Sequence, residues 1–295
     1  MTATLTAPAK RVQPARRRSW NSARMWVICR TELKQLIQAR DYWIPMVALG
    51  AIFFLIVPTI LLLTITRIGN VSIVNQISQT LDILPTAARN QITKQTTSPE
   101  GKTAYALAVF LFAPVAVVVP LTISTAVGAA TLVGERERGT GEFLAHSPAT
   151  AREIYIGKLI ASFVPGYVTT IVGFGLYSLV VNLIAGPDVG GWFFPTTHWL
   201  ILMFWVIPPF LLFTLSLVLR LSAKVKSTAA AQQASGLVSL PLIMVAYTQS
   251  TGALFGAAIS GWVVGAIAWA IALVSLTRGV RSVNRARLLG VADEV

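Results

Sequence analysis

Charged residues and cysteine are scarce in this chain of 295 residues. Only 12% of the residues are charged, about half the share found in an ordinary soluble domain, while 55% are hydrophobic. This composition excludes a typical aqueous globular domain and indicates a protein of the lipid bilayer. The single cysteine, Cys29, excludes an intramolecular disulfide, and with only two distant histidines it also excludes a Cys/His metal site.

The sequence also lacks the signatures of several active sites. It contains no GxxxxGK[ST] loop for nucleotide phosphates, no HExxH and no GxSxG, so we do not expect it to be an enzyme by itself. None of its 11 acidic residues lies well inside a long apolar stretch, although ion-coupled carriers usually place an ionisable group there. If the protein pumps a substrate, its energy must come from another polypeptide.

Six apolar stretches are long enough to cross a bilayer, which takes about 20 residues. They are Tyr42 to Thr66, Ala104 to Val133, Ile154 to Ala185, Trp199 to Arg220, Ala229 to Gln249 and Ala253 to Thr277. We therefore expect an all-α membrane protein with six transmembrane helices in residues 42–285. A basic disordered leader (1–19) and an interfacial amphipathic helix (20–40) precede them, and a tail (286–295) follows. A re-entrant hairpin at 249–262 remains an alternative.

The distribution of Lys and Arg predicts the orientation. The net charge is +13, but the basic residues flank apolar runs and do not form a soluble face with aromatic residues, so no nucleic-acid partner is expected. Positive residues resist translocation, which favours cytoplasmic termini. Only four of the 24 Lys and Arg residues then lie outside, namely Arg67, Arg89, Lys94 and Lys102. An outer connection at 186–198 carries Trp192, Phe193 and Phe194, which we interpret as an aromatic belt at the interface.

The segment before the first stretch has helical periodicity. Its apolar residues recur at steps of three and four, at Trp26, Cys29, Leu33, Leu36 and Ile37. The intervening polar positions, which we assign to the opposite face, are Arg30, Glu32, Lys34, Gln35 and Gln38. Such a helix should lie along the inner leaflet in contact with membrane lipid and turn into the bilayer near Asp41 and Pro45. It is either a simple anchor or an element that moves with a partner.

The longest charged connection between two stretches runs from Gly134 to Thr150. Thr140 can cap a short helix at 141–146 that Ser147 and Pro148 would end. Thr150 and Glu153 match the [ST]-x-x-[EQ] capping box, which predicts a new helix. The short helix would expose an apolar pair beside charged and polar residues, which suits a docking peg for a partner; a merely solvated loop is the alternative. The candidate docking residues are Glu135, Glu137, Arg138, Gly139, Thr140, Glu142, Phe143, Leu144, Ser147 and Pro148.

This loop resembles the segment after the second span in ABC-2 type permeases, whose pattern is approximately GE[KR]ERGTLE-LL-[ST]P--R-EI--GK. The matching residues are Gly134, Glu135, Glu137, Arg138, Gly139, Thr140, Glu142, Leu144, Ser147, Pro148, Arg152, Glu153, Ile154, Gly157 and Lys158. The segment RTELKQLIQARDYWIPM is similar to the family's N-terminal interfacial helix through Glu32, Leu33, Lys34, Gln35, Leu36 and Arg40. Gly141, Ala145 and His146 depart from the pattern, so the choice of partner can differ.

The resemblance implies the permease subunit of an ABC exporter in the cytoplasmic membrane of a prokaryote. Two such subunits, identical or homologous, would form a dimer, and each would engage an ABC nucleotide-binding subunit through the loop. ATP and Mg would be bound by that partner, and this chain would bind no cofactor or metal. By the same analogy the pathway lies near the second and fifth spans, with Gln232 and Gln233 as buried polar candidates. A channel or secondary carrier, or a membrane anchor for an ATPase acting on cell-surface machinery, are the alternatives.

Overall fold

The computed structural model describes residues 20–67, 84, 86–137, 147–222, 230, 233, 236, 240 and 258–282, apart from the side chains of 132–137, 222, 258–260 and 282. These residues form seven helices and no strand. The helices are α1 (Ser22–Gln38), α2 (Arg40–Thr66), α3 (Thr86–Gln95), α4 (99–137), α5 (Ala151–Val189), α6 (197–222) and α7 (Ala258–Ser282). The expected all-α class is therefore observed in the described part of the chain.

Five helices in the described residues are long and apolar enough to cross a membrane. They contain the segments Arg40–Thr66, Pro99–Thr131, Ala151–Val189, Thr197–Leu221 and Gly261–Arg281. These correspond to the first four and the last of the six predicted spans. The predicted fifth span, 229–249, lies almost wholly outside the described residues, and so does most of the segment 249–262 that could be re-entrant.

The directions of α6 and α7 bear on the predicted fifth span. Trp205 Nε1 near the start of α6 donates to the Trp262 carbonyl oxygen near the start of α7, at 3.1 Å. Ser216 Oγ near the end of α6 donates to the Ser275 carbonyl oxygen, at 3.2 Å. The two helices therefore run parallel, and the last residue of α6 lies at the opposite end of the bundle from the first residue of α7. A span between them remains a prediction.

Proline positions explain a shared irregularity of α2, α4 and α6. Each contains one π-helical turn, at Ile52–Ile56, Leu107–Leu111 and Leu202–Val206. A proline follows each turn, at Pro58, Pro114 and Pro208. Proline lacks an N–H group, and its ring crowds the carbonyl four residues earlier, which here lies inside the π turn. The wider turn relieves this conflict without ending the helix.

The long helix α5 occupies the centre of the bundle and packs against α1, α2, α4 and α6. Two of its glycines permit this. A Cβ atom at Gly166 would collide with Ser124 Oγ and lie 2.8 Å from the Pro120 carbonyl oxygen of α4. A Cβ at Gly173 would penetrate the ring of Phe54 on α2. Small residues thus let the helix backbones approach closely, as is common between membrane helices.

The connection after α5 corrects the aromatic-belt interpretation. α5 continues to Val189, and Gly190 ends it in the left-handed region with φ of 106°. Trp192 is exposed, but Phe194 is only 1% exposed and packs among Phe174, Tyr177 and Trp199. Asn182 Oδ1 accepts from the backbone N–H groups of Phe193 and Phe194, both at 3.0 Å. Phe194 therefore belongs to the protein core, because a buried amide folds the connection back onto α5.

Candidate functional site

The candidate docking loop is described only at its two ends. Glu135 and Glu137 lie in the last turn of α4, which continues to Glu137. Ser147 and Pro148 precede α5, Ser147 half-buried and Pro148 exposed. The predicted short helix and six of the candidate docking residues lie outside the described residues, namely Arg138, Gly139, Thr140, Glu142, Phe143 and Leu144. What the structure does describe is how the ends of this loop are attached to the bundle.

The start of α5 has the predicted capping box. Thr150 is extended and is the N-cap; its Oγ1 accepts from Glu153 N at 3.3 Å, and Glu153 Oε2 accepts from Thr150 N at 2.7 Å. The helix begins at Ala151 and continues past Lys158 into the long span. The prediction from residue spacing is therefore confirmed.

The same carboxylate also attaches α1. Glu153 Oε1 accepts from the backbone N–H of Asn21 at 2.6 Å, while the Asn21 side chain caps α1 by accepting from Ala23 N at 2.9 Å. About one turn further along α1, Arg24 Nη1 donates to the Pro148 carbonyl oxygen at 3.3 Å. Glu153 is fully buried, so its two oxygens hold the N-termini of two helices together at the end of the candidate docking loop.

One turn further along α5, Lys158 joins three helices. Its Nζ donates to Glu32 Oε1 of α1 at 2.5 Å and to the Thr131 carbonyl oxygen of α4 at 2.7 Å. Lys158 is fully buried and the Glu32 side chain is 11% exposed. A buried charge is costly unless it is paired and hydrogen-bonded, and here the ion pair is neutral overall. We call the set Asn21, Glu32, Thr131, Glu153 and Lys158 the helix junction.

Glu32 corrects the assignment of faces on α1. We placed it on the polar face, yet it is buried together with Cys29. Glu32 is three residues after Cys29 and four before Leu36, and these spacings put it on the inward side. A second signal was Lys158 itself, because a lysine at the start of an apolar span needs a buried partner. Sequence reasoning missed the pairing, although both residues are present in the matched motifs.

Comparison with known families decides the classification. Residues 26–274 match the sequence profile of a family described as ABC-2 family transporter protein. The chain belongs to the ABC-2 transporter family. The resemblance inferred from the candidate docking loop and α1 is thereby confirmed. A search of curated proteins gave no match.

Family membership makes this chain a membrane component of an ABC-2 transporter. Glu32, Gly157 and Lys158 are among the residues that carry the ABC-2 resemblance, and the structure brings them together. A Cβ at Gly157 would lie 3.0 Å from the Met25 carbonyl oxygen of α1 and 3.1 Å from Ile28 Cβ. Glycine at this position therefore lets α1 lie close enough to α5 for Glu32 to reach Lys158.

The remaining predicted residues of α1 differ in exposure. Leu33 and Leu36 are half-buried, whereas the side chains of Trp26 and Ile37 are 58% and 71% exposed on the single chain. Cys29, on the face toward the bundle, is fully buried. Burial and the negative charge of Glu32 raise the pKa of the Cys29 thiol. Contact of Trp26 and Ile37 with the inner leaflet stays a prediction.

The candidate pathway residues lie in a segment between α6 and α7 of which the structure describes only residues 230, 233, 236 and 240. Gln233, described without its chain neighbours and outside the seven helices, has a helical backbone and is exposed on the single chain; Gln232 lies outside the described residues. Their role in a pathway therefore stays a prediction. Among the residues that the structure describes, no group of three or more His, Cys, Asp and Glu side chains could hold a metal ion.

Proposed function

We propose that this ABC-2 chain is the permease subunit of an exporter that moves a substrate out of the cytoplasm, driven by ATP hydrolysis on a separate nucleotide-binding subunit. The observation that carries the proposal is the helix junction. The loop expected to meet the ATPase joins α4 to α5, and about two turns beyond its end Lys158 on α5 bonds to both α4 and α1.

The junction gives the loop a mechanical connection. Lys158 binds Glu32 and the carbonyl of Thr131, so it links α5 to α1 and to α4. Glu153 adds the link from the start of α5 to Asn21. A force applied to the loop would therefore move the ends of α1, α4 and α5 together. Since α5 is the central helix, such a displacement would reach α2 and α6 through direct packing.

The orientation proposed for this mechanism has the α1 end of the bundle in the cytoplasm. Basic residues described at that end include Arg30, Lys34, Arg40, Arg152 and Arg220. The opposite end carries Arg67, Arg89, Lys94 and Lys102. With the basic leader and tail added, the positive-inside rule favours the α1 end inside. The protein would then be a multi-pass protein of a prokaryotic cytoplasmic membrane with both termini in the cytoplasm.

The partners follow from this arrangement. A second permease copy or a homologue would complete the translocation pathway, and each copy would engage one ABC nucleotide-binding subunit. ATP and Mg would be held by those subunits. The apolar helix faces are in keeping with contact with membrane lipid or a second permease.

The docking step is tested with the double variant Glu135→Ala and Glu137→Ala. We expect less ATPase subunit to co-purify with the permease, because both carboxylates flank the docking segment, while membrane insertion is unchanged. Glu100→Ala is the matched control, since it removes a carboxylate at the opposite end of α4. Unchanged ATPase recovery in the double variant would refute docking through this loop.

The transport step needs its own measurement. Inverted vesicles containing the permease and its ATPase should accumulate substrate when ATP is added, and an ATPase inhibitor should abolish the accumulation. ATP-independent movement would instead indicate a channel or secondary carrier. Normal docking without vectorial movement of any tested substrate would indicate a membrane anchor for the ATPase.

A further inference from the structure

A second polar cluster lies between α5, α6 and α7, away from the helix junction. Tyr155 Oη donates to Ser216 Oγ at 2.9 Å, and Ser275 Oγ donates to Ser216 Oγ at 3.0 Å. Tyr155, Ser216 and Ser275 are 1%, 0% and 6% exposed. Gly279 allows this close approach, because a Cβ there would collide with Tyr155 Oη. The hydroxyl groups thus form a fixed, fully bonded chain between three helices.

Arg220 lies at the end of this hydrogen-bonded series of hydroxyl groups, at the α1 end of the bundle. Its Nη2 donates to Ser275 Oγ at 3.0 Å and its Nε donates to the Ser216 carbonyl oxygen at 3.2 Å. A guanidinium has five N–H donors. Arg220 is half-buried, and its other three donors make no hydrogen bond to any residue that the structure describes. The guanidinium is therefore held in place by the network, unlike a free surface arginine that adapts to its surroundings.

The neighbouring face of α7 has the pattern of a lipid-binding surface. Exposed apolar residues recur along it at steps of three and four, at Val263, Ile267, Ile271 and Val274. The same stripe continues into Arg278 and Arg281, which are both exposed. An apolar stripe that ends in cationic groups at the membrane boundary matches acyl chains below an anionic headgroup.

We propose that Arg220, together with Arg278, binds the phosphate of an anionic phospholipid whose acyl chains lie along the α7 stripe (Val263, Ile267, Ile271 and Val274). Arginine suits a phosphate because its planar donors bind two oxygens at once. A second copy of the chain is a poorer occupant. A two-fold interface on this stripe would place Arg278 of both copies at the same depth, where like charges repel. This site does not depend on the proposed export function.

The experiment titrates the full-length chain, purified in mild detergent, with phosphatidylglycerol or phosphatidylcholine of identical acyl chains, and counts bound lipid by native mass spectrometry. We expect the wild-type chain to prefer phosphatidylglycerol. Arg220→Gln should lower that preference by about tenfold, as expected for the loss of charge-assisted bonds to phosphate. Arg278→Gln should also lower it while leaving the hydroxyl chain intact, which guards against a folding defect in the first variant. Arg67→Gln, at the opposite end of the bundle, is the control and should change nothing.

Four outcomes would overturn the proposal. Equal binding of the two lipids by the wild-type chain would show that the proposed lipid site does not exist. An unchanged preference for phosphatidylglycerol in both arginine variants would show the same. Full displacement of phosphatidylglycerol by inorganic phosphate would show a site for soluble phosphate and not for lipid. If the variants keep their lipid preference but recover less ATPase subunit, the arginines bind a protein carboxylate.

Discussion

The ammonium group of Lys158 on α5 lies 2.5 Å from the carboxylate of Glu32 on α1, with Lys158 fully buried. The two residues are far apart in the chain, so the pair fixes how the first helix sits against the central span. Neither charge would be stable alone in this environment. The pair is therefore the most sensitive point at which to test the attachment of α1.

Replacing Lys158 by Met leaves Glu32 buried without its described cation. We expect the free energy of unfolding to fall by about 3–5 kcal/mol, the usual cost of breaking a buried ion pair. The measurement is the thermal unfolding midpoint in nanodiscs. Arg152→Met is the control, because Arg152 is exposed on the same helix, and it should have little effect. The double variant Lys158→Met with Glu32→Leu should recover much of the loss; a double variant less stable than Lys158→Met alone would contradict the pairing.

Cys29 reports the position of α1 directly. Burial and the nearby charge of Glu32 raise the pKa of its thiol, so less thiolate is present at neutral pH and alkylation should be slow. We expect a membrane-permeant maleimide to react faster as pH is raised, and at every pH more slowly than with Thr31→Cys in a Cys29→Ser background. Thr31 is exposed on the same helix. Labelling of Cys29 as fast as that of the Thr31 variant would show that α1 is not held against α5.

Gly166 and Gly175 provide a matched pair on α5. A methyl group at Gly166 would collide with Ser124 and with the Pro120 backbone of α4, whereas a Cβ at Gly175 meets nothing within 4 Å. We expect Gly166→Ala to destabilise the fold by about 1–3 kcal/mol through overpacking. Gly175→Ala should be neutral or stabilising, because alanine favours a helix over glycine. The measurement is the thermal unfolding of both variants. Equal stability of Gly166→Ala and Gly175→Ala would contradict the close contact between α4 and α5.

The parts of the structure that follow from local sequence were predictable. Apolar length alone located the five described spans, and the spacing of Thr150 and Glu153 located the start of α5. The π turns that precede Pro58, Pro114 and Pro208 also have a local cause, but they were not predicted. Each of these features depends on residues within one or two turns of one another.

Features that join distant segments were not predictable in the same way. Glu153 reaches Asn21 and Lys158 reaches Glu32 across more than 120 residues. Periodicity could have shown that Glu32 faces inward, but not which cation meets it. Phe194 was misplaced for the same reason, since its burial depends on the amide of Asn182 folding a connection back. The docking residues from 138 to 144 lie outside the described residues, and their role stays a prediction.

Glu153 allows capping and attachment of α1 to be separated. Glu153→Ala removes the acceptors for Thr150 N and Asn21 N together, so we expect a loss of about 1–2 kcal/mol in stability and faster maleimide labelling of Cys29. Thr150→Ser keeps a hydroxyl at the N-cap and the whole of Glu153, and it should leave both quantities near those of the wild-type chain. Thr150→Ala removes only the cap hydroxyl; it should lower stability while Cys29 stays protected, because Glu153 still accepts from Asn21. If Thr150→Ala exposed Cys29 as much as Glu153→Ala did, α1 would depend on the folding of the α5 start and not on the Glu153 carboxylate itself.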